Sequence, residues 1–399
     1  MTKKNISELK NNQCCGCGAC AIACPVKCIE MVYGEDGALY PQIDSDKCVS
    51  CGKCLRYCCI YDKMRGSLSS EVYGACIKDD KTLQNSASGG IFSALAKKVI
   101  ATNGVVYGAA YVVGERGISA VQHIRVESIA DLKRLQGSKY VQSEIYSIYD
   151  QLREDLRNNK EVLFSGTPCQ VSAIKKIFPN SNNLTTVDII CHGVPGTNIF
   201  LDYLKYWNTK RNAIIEDFQF RNKSRGWGFN ANIVYRDKDK KSIIVPGDLD
   251  PYYYFFLRWS MSRDVCYQCA YADNKRISDI TIGDYNGVQD TSPEFLRQNG
   301  GPFQEQKGIS CLLVNSQKGK RMLESILDSI DIKRTTFEKV SMYNRQLLEP
   351  CEVGVHHDEF FEYYKKYGWK KLVKLHKRLM GRSYYTRRIK ELIYHKNLL

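Results

Sequence analysis

No window of this 399-residue chain approaches the roughly 18 consecutive apolar residues that a bilayer-spanning helix needs. The opening stretch MTKKNISELKNNQ also lacks the apolar core of a secretory leader, which predicts a cytoplasmic location. Histidine is scarce. Of six, His123, His356, His357, His376 and His395 have no spacing that a metal site would use, which leaves His192, beside Cys191. Acidic residues are short as well, with 43 Asp and Glu against 58 Lys and Arg and a net charge of +15. No helix-turn-helix, RNA-recognition or zinc-finger pattern accompanies that surplus, so nucleic acid is not expected as a partner.

What the chain does have is cysteine, 18 in all. Without an export signal, clustered thiols point to metal or catalysis rather than to disulfides. CCGCGACAIACP places Cys14, Cys17, Cys20 and Cys24 as C-x2-C-x2-C-x3-C-P, and CVSCGKCLRYC repeats the cysteine spacing with Cys48, Cys51, Cys54 and Cys58. This is the bacterial two-cluster ferredoxin signature, in which the fourth cysteine of each run ligates the other cluster. One 4Fe-4S cluster should therefore use Cys14, Cys17, Cys20 and Cys58, and the other Cys48, Cys51, Cys54 and Cys24. Zinc also accepts four cysteines, but two interlocked runs make poor tetrahedral knuckles. Cys15, Cys28 and Cys59 fall outside the pattern and are expected to pack as small hydrophobes. Between the runs, alternating residues around Gly34 to Gly37 predict a hairpin. The module spans residues 1–61, and DKMRGSLSS reads as a linker.

From residue 72 onward apolar strand-like and helix-like runs alternate, predicting an α/β domain with a mainly parallel or mixed sheet behind the α+β ferredoxin domain. Its first part covers residues 72–160 and its second part, with the main site, 161–345. GVVYGAAYVV, EVLFSG, LTTVDII and DITIGD read as buried strands, and residues from Ala213 to Val245 as a β-rich insertion. Three junctions suit anions. Ser88, Gly89 and Gly90 open a helix whose free N–H groups attract phosphate. Gly166 ends a strand, with Thr167 as N-cap and Pro168 at the first helical position, which puts Cys169 in the first turn. Cys191 and His192 end another strand, so glycines, a thiol and an imidazole share one sheet edge, where α/β folds bind ligands. Gln136 to Tyr140 is a polar loop carrying Gly137, Ser138 and Lys139; its lysine suits a phosphate or a flavin carbonyl, or a plain surface turn.

The last segment, residues 346–399, is a basic helical tail. From Tyr363 onward twelve Lys and Arg face one acidic residue, Glu391, and Leu372, Leu375 and Leu379 recur at helical spacing. Two readings fit equally: an anionic membrane surface or acidic partner protein held by the basic face, or a solvated helix whose apolar stripe packs on its own core.

Taken together, SASGGIFSALAKKVI, QGSKYVQS, VLFSGTPCQVSAIKK, DIICHGVPG and CYQCAYADNKRISDITIGDY resemble the coenzyme F420 hydrogenase/dehydrogenase beta-subunit family with a ferredoxin domain fused in front. The resemblance runs from Cys14 to about Val314. It implies an FAD-binding iron-sulfur oxidoreductase that passes electrons between a small ferredoxin- or flavodoxin-type carrier and a substrate, in relatives of this arrangement often beside polysaccharide biosynthesis. A non-catalytic electron-transfer subunit is the alternative. The resemblance further implies a third 4Fe-4S cluster held by Cys169, Cys191, Cys266 and Cys269, against a redox-active Cys266/Cys269 dithiol or a zinc site. It implies FAD contacts from Ser88, Gly89, Gly90, Gly137, Ser138, Lys139, Gly166, Thr167, Arg276 and Asp284, with Asp279 beside them. His192 and Lys139 are the expected catalytic residues, although His192 equally suits a hydrogen bond to cluster sulfur, and Arg276, Asp279 and Asp284 equally suit an ordinary ion-pair network. Gly196 and Asn286 depart from the usual Ser and Trp, which leaves the deazaflavin the least secure inheritance.

Overall fold

The computed structural model describes residues 4–34, 37–236 and 241–396. In the N-terminal module two four-residue helices, Ala19–Ile22 and Lys53–Arg56, start after Gly18 at φ +74° and Gly52 at φ +69°. Only glycine takes that conformation without strain. A Cβ on Gly18 would also lie 2.7 Å from the Tyr146 ring, so the same glycine allows the module to seat on the body. Ile29–Tyr33 and Leu39–Ile43 pair antiparallel as the expected hairpin, whose residues 35–36 lie outside the described set.

One eight-stranded mixed sheet organises the body. Its order is Ile330–Thr335, Glu71–Ile77, Ser310–Val314, Ile280–Asp284, Leu184–Ile189, Val162–Gly166, Val105–Gly114, Gly117–Val126. The four strands from Ile280–Asp284 to Val105–Gly114 run parallel, and the others join antiparallel. Those four are the runs that read as strands in the sequence. Parallel strands are covered on both faces and so are apolar almost throughout, whereas the flanking ones carry weaker patterns.

Val106, Leu163, Val187 and Ile280 pack with Ile91, Leu95 and Val99 of the helix Ile91–Ala101. On the opposite face Val105, Val162, Phe164 and Leu184 meet Val171 and Ile174 of the helix Pro168–Ile177, and Cys17, Ala19 and Cys59 join the same core. The N-terminal module thus shares a hydrophobic core with the sheet. The linker is tied as well: Ser67–Leu68 pairs with Lys275–Arg276, directly after the Cys266/Cys269 loop.

The insertion forms an antiparallel sheet of Ile215–Gln219, Asn230–Tyr235 and Ser242–Pro246, close to the expected limits. Phe200, Phe218, Phe220, Tyr252 and Phe255 fill its core together with Trp369, Leu372 and Leu375 of the helix Trp369–Met380. Leu372 is fully buried and Leu375 nearly so. Each such burial is worth roughly 1.5–3 kcal/mol, so this stripe belongs to the protein's own core and not to an external surface. Among the described residues no helix is long and apolar enough to cross a membrane.

Candidate metal and cofactor site

The cysteines of the first run and the end of the second converge. Burial pushes the Cys20 thiol well above its usual range, and the neighbouring Cys17, Cys14 and Cys58 add to the shift. Cys54 is likewise raised by burial, with Cys48 and Cys51 beside it. Cys24 accepts a hydrogen bond from the Cys28 N–H at 3.4 Å, and Cys28 in turn neighbours Cys48. Cys58 thus joins the thiols of the first run, and Cys28 stands between Cys24 and Cys48.

Cys15 and Cys59, expected as plain packing residues, lie among the thiols instead. The Cys59 sulfur is 3.4 Å from that of Cys15 and 3.8 Å from that of Cys17, and hydrogen bonds from both Cys15 and Cys59 pull the Cys17 thiol down to about 6. Cys15 also bonds Cys169, which with burial drives the Cys169 thiol well up. Cys15 thus touches the N-terminal thiols and those of the body at once. Arg263, 4% exposed, donates from Nη1 to the Cys15 carbonyl and from Nη2 to the Cys14 carbonyl, both at 2.7 Å. Its guanidinium neighbours Cys14 and Cys266, so one cation serves both sets.

Cys169, Cys191, Cys266 and Cys269 are brought together. Burial raises Cys191 well above its usual range, followed by the influence of Cys266, Cys169 and Cys269. Burial likewise pushes Cys266 up to about 12 and Cys269 up to about 11. Gly193, at φ +93°, allows this closeness: a Cβ there would stand 3.2 Å from the Cys266 Cβ. Four half-buried soft donors that neighbour one another suit a thiolate-bound metal group, since a bound cation would offset the cost of withdrawing thiolates from water.

Cys169, Cys191 and Cys15 form part of the wall of a cavity of about 580 Å³ at the carboxyl ends of the parallel strands. That volume lies within the roughly 300–1,000 Å³ of ordinary ligand sites. Ser88, Gly90, Gly137, Ser138, Lys139, Gly166, Thr167, His192 and Asp284 line it. Gly90, at φ +79°, caps the helix Ile91–Ala101, and Thr167 with Gln170 makes a capping box on the helix Pro168–Ile177. Gly89 does not line the cavity; its N–H is taken by the Ser310 hydroxyl at 2.9 Å. Lys139 donates to the Arg134 and Gln136 carbonyls at 2.9 Å each, and burial lowers its ammonium to about 8. It holds its own loop closed. Burial lowers His192 too, so its imidazole is neutral near pH 7.

Three cavity residues carry no signature in the sequence. Arg221 donates to Asp284 at 2.7 Å and to the Tyr140 hydroxyl at 3.1 Å, and its Nε has no partner. His123 bonds the Ser165 carbonyl at 2.9 Å through Nε2, leaving Nδ1 as a buried acceptor without a partner, and Gln142 Oε1 is in the same position. Buried polar atoms are almost always paired, so three residues of one cavity wall that each keep a buried polar atom without a partner stand out. Nothing periodic betrays such residues. Of the two departures, Asn286 lines the cavity and bonds Asn344 at 3.1 Å, while Gly196 caps the helix Thr197–Arg211 outside it.

Arg276 is not on the cavity wall. It donates to Asp188 at 2.9 Å with both side chains buried, and to the Thr281 hydroxyl and Tyr271 carbonyl. Asp279 accepts from Thr186 and Ser316 and ties strands together. Arg276→Met would leave the Asp188 carboxylate buried and unpaired. The expected cost is about 3–5 kcal/mol of stability, read as a fall in the urea midpoint at unchanged slope.

A family model for the C-terminal part of the coenzyme F420 hydrogenase/dehydrogenase beta subunit matches residues 159–340. The F component of the F(420)H(2) dehydrogenase of Methanosarcina mazei is 25% identical over 206 residues, 48% of this chain and 56% of that protein. The B component of the Na(+)-translocating ferredoxin:NAD(+) oxidoreductase complex of Acetobacterium woodii is 49% identical over 45 residues, 11% of this chain and 12% of that protein. The chain thus spans little more than half of the first relative and a small part of the second. One polypeptide of the xenon-derivatised F420-reducing NiFe hydrogenase complex from Methanosarcina barkeri matches 79% of this chain and 95% of its own length, at 15% identity and a TM-score of 0.44. Residues 159–340, which contain all four body thiols together with Gly166, Arg221 and Asp284, are thus similar to the C-terminal part of the coenzyme F420 hydrogenase/dehydrogenase beta subunit.

Proposed function

We propose that the chain is an iron-sulfur flavoprotein oxidoreductase that passes electrons between a small ferredoxin- or flavodoxin-type carrier and a substrate. The observation that carries this reading is the shared wall: Cys169 and Cys191 border a cavity that is also lined by Arg221, Gln142 and His123, side chains that each keep one buried polar atom without a partner. When bound, iron-sulfur clusters supply one-electron steps and FAD converts them to two-electron chemistry.

In this reading Cys14, Cys17, Cys20 and Cys58 hold one 4Fe-4S cluster, Cys48, Cys51, Cys54 and Cys24 a second, and Cys169, Cys191, Cys266 and Cys269 a third. FAD would be held in this cavity, with Arg221, Gln142 and His123 as the polar side chains on its wall. The N–H groups around Ser88 and Gly90, at the positive end of a helix, would suit its negative phosphates. Phe229, Phe256 and Trp259 on the wall exclude water. His192, uncharged and next to Cys191, would offer an imidazole nitrogen to accept a proton or a hydrogen bond at the substrate side, and Lys139 serves as a positioning residue for Gly137 and Ser138.

Anaerobic purification followed by iron, sulfide and flavin counting tests this. The expected result is about twelve iron, about twelve sulfide and one flavin per chain. About eight iron would remove the third cluster, and absence of flavin would remove the cofactor assignment. The relatives' names favour a second reading, a non-catalytic electron-transfer subunit, since two of them are parts of larger oxidoreductases. Turnover by the isolated chain with reduced ferredoxin or viologen supports catalysis; none with any acceptor supports the subunit reading.

A further inference from the structure

The helix Arg382–Lys396 is amphipathic the wrong way round. Polar contacts hold its inner side: Arg387 pairs with Asp248, and Glu391 with Arg225 at 2.6 Å. Tyr384 stands edge-on to the His376 ring at 5.6 Å. Tyr385, Ile389, Leu392 and Ile393 point away from the body and are 62%, 57%, 55% and 55% exposed. Their spacing of four, seven and eight residues gathers them into one stripe about 100° wide. Single exposed apolar residues need no explanation, but a continuous stripe on a helix already anchored from behind does.

We propose that this stripe docks the protein on an anionic bilayer surface. Exposed Arg382, Arg388 and Lys390 flank it, and the preceding helix exposes Lys370, Lys371 and Lys374 while burying its own apolar side. Eleven of the fifteen surplus positive charges belong to residues 363–399, twelve basic minus one acidic. A bilayer offers acyl chains for the stripe and anionic headgroups for the flanks in one plane. A second copy would bring two strongly basic helices together, and like charges oppose that. The docking is independent of what the thiols and cavity hold.

Co-sedimentation of the full chain with phosphatidylcholine/phosphatidylglycerol vesicles, and with phosphatidylcholine alone, is the test. Binding to the mixed vesicles, weakened by salt and nearly absent on phosphatidylcholine alone, is expected. Ile389→Glu with Leu392→Glu, both on the exposed side, should lower the partition roughly tenfold or more, with the circular dichroism spectrum unchanged. Three results would overturn the proposal: no binding to the mixed vesicles, equal binding to both kinds, or full binding by the double variant. A concentration-dependent dimer that the double variant disperses would also overturn it, in favour of a second copy.

Discussion

Replacing Cys191 by alanine is expected to lower the iron content from about twelve to about eight per chain, with sulfide falling in step. Cys191 is the member of the body set that neighbours all three others, Cys266, Cys169 and Cys269, so its loss opens the site at its centre. The N-terminal thiols remain complete, and the loss should stop at one third. Visible absorbance that bleaches with dithionite should fall by about the same share. Cys76→Ala is the matched control: that thiol is buried and donates to the Gly308 carbonyl at 3.4 Å, apart from either set, and its iron should stay at about twelve. Equal iron in Cys191→Ala and Cys76→Ala would end the assignment of a cluster to the body thiols.

Acidification is expected to cost the fold much of its stability between pH 6.5 and 4. Burial lowers both His123 and His376 from 6.5 to about 4 in the folded protein. Between those values the unfolded chain binds the protons and the folded one does not, so stability is complete above pH 6.5 and drains away as pH falls towards 4. Each group accounts for about 3 kcal/mol over that span. Asp250, whose carboxyl burial raises to about 6, takes up a proton in the fold over the same span and offsets about one of them, leaving a net loss of about 3 kcal/mol against the 5–15 kcal/mol of a typical domain. Urea midpoints measured from pH 7.5 down to pH 4 read this directly. His376→Gln keeps a side chain able to bond the Asp248 carbonyl and should remove about 3 kcal/mol of acid-induced loss; an unchanged pH dependence would mean the imidazole does not titrate this way.

The gathering of thiols in the first sixty residues is legible in the sequence because cluster ligation would impose a fixed spacing. The four parallel strands are legible because burial on both faces leaves continuous apolar runs. Ser88, Gly90, Gly166, Thr167, Cys191, His192 and Asp284, scattered over nearly two hundred residues, do meet on one cavity wall. Arg221, His123 and Gln142 are not legible, because a buried polar atom without a partner leaves no trace in periodicity. Arg276 misleads for the converse reason: its nearness in sequence to Cys269 and Asp284 says nothing of Asp188, 88 residues away, which claims it. Cys15 and Cys59 lie off the ligand pattern and yet among the gathered thiols. The tail's apolar stripe is in fact two stripes, one buried at Leu372 and Leu375 and one exposed at Ile389 and Leu392.

Arg263 holds the carbonyls of Cys14 and Cys15 while Cys266 follows three residues later in its own chain. Tyr146 lies against Gly18 with no room even for a methyl group between them. A small module stitched down in this way is a soldered terminal and not a swinging arm. Whatever passes between the two sets of thiols crosses a gap of fixed width, so its rate should ignore solvent viscosity and the length of the connecting peptide.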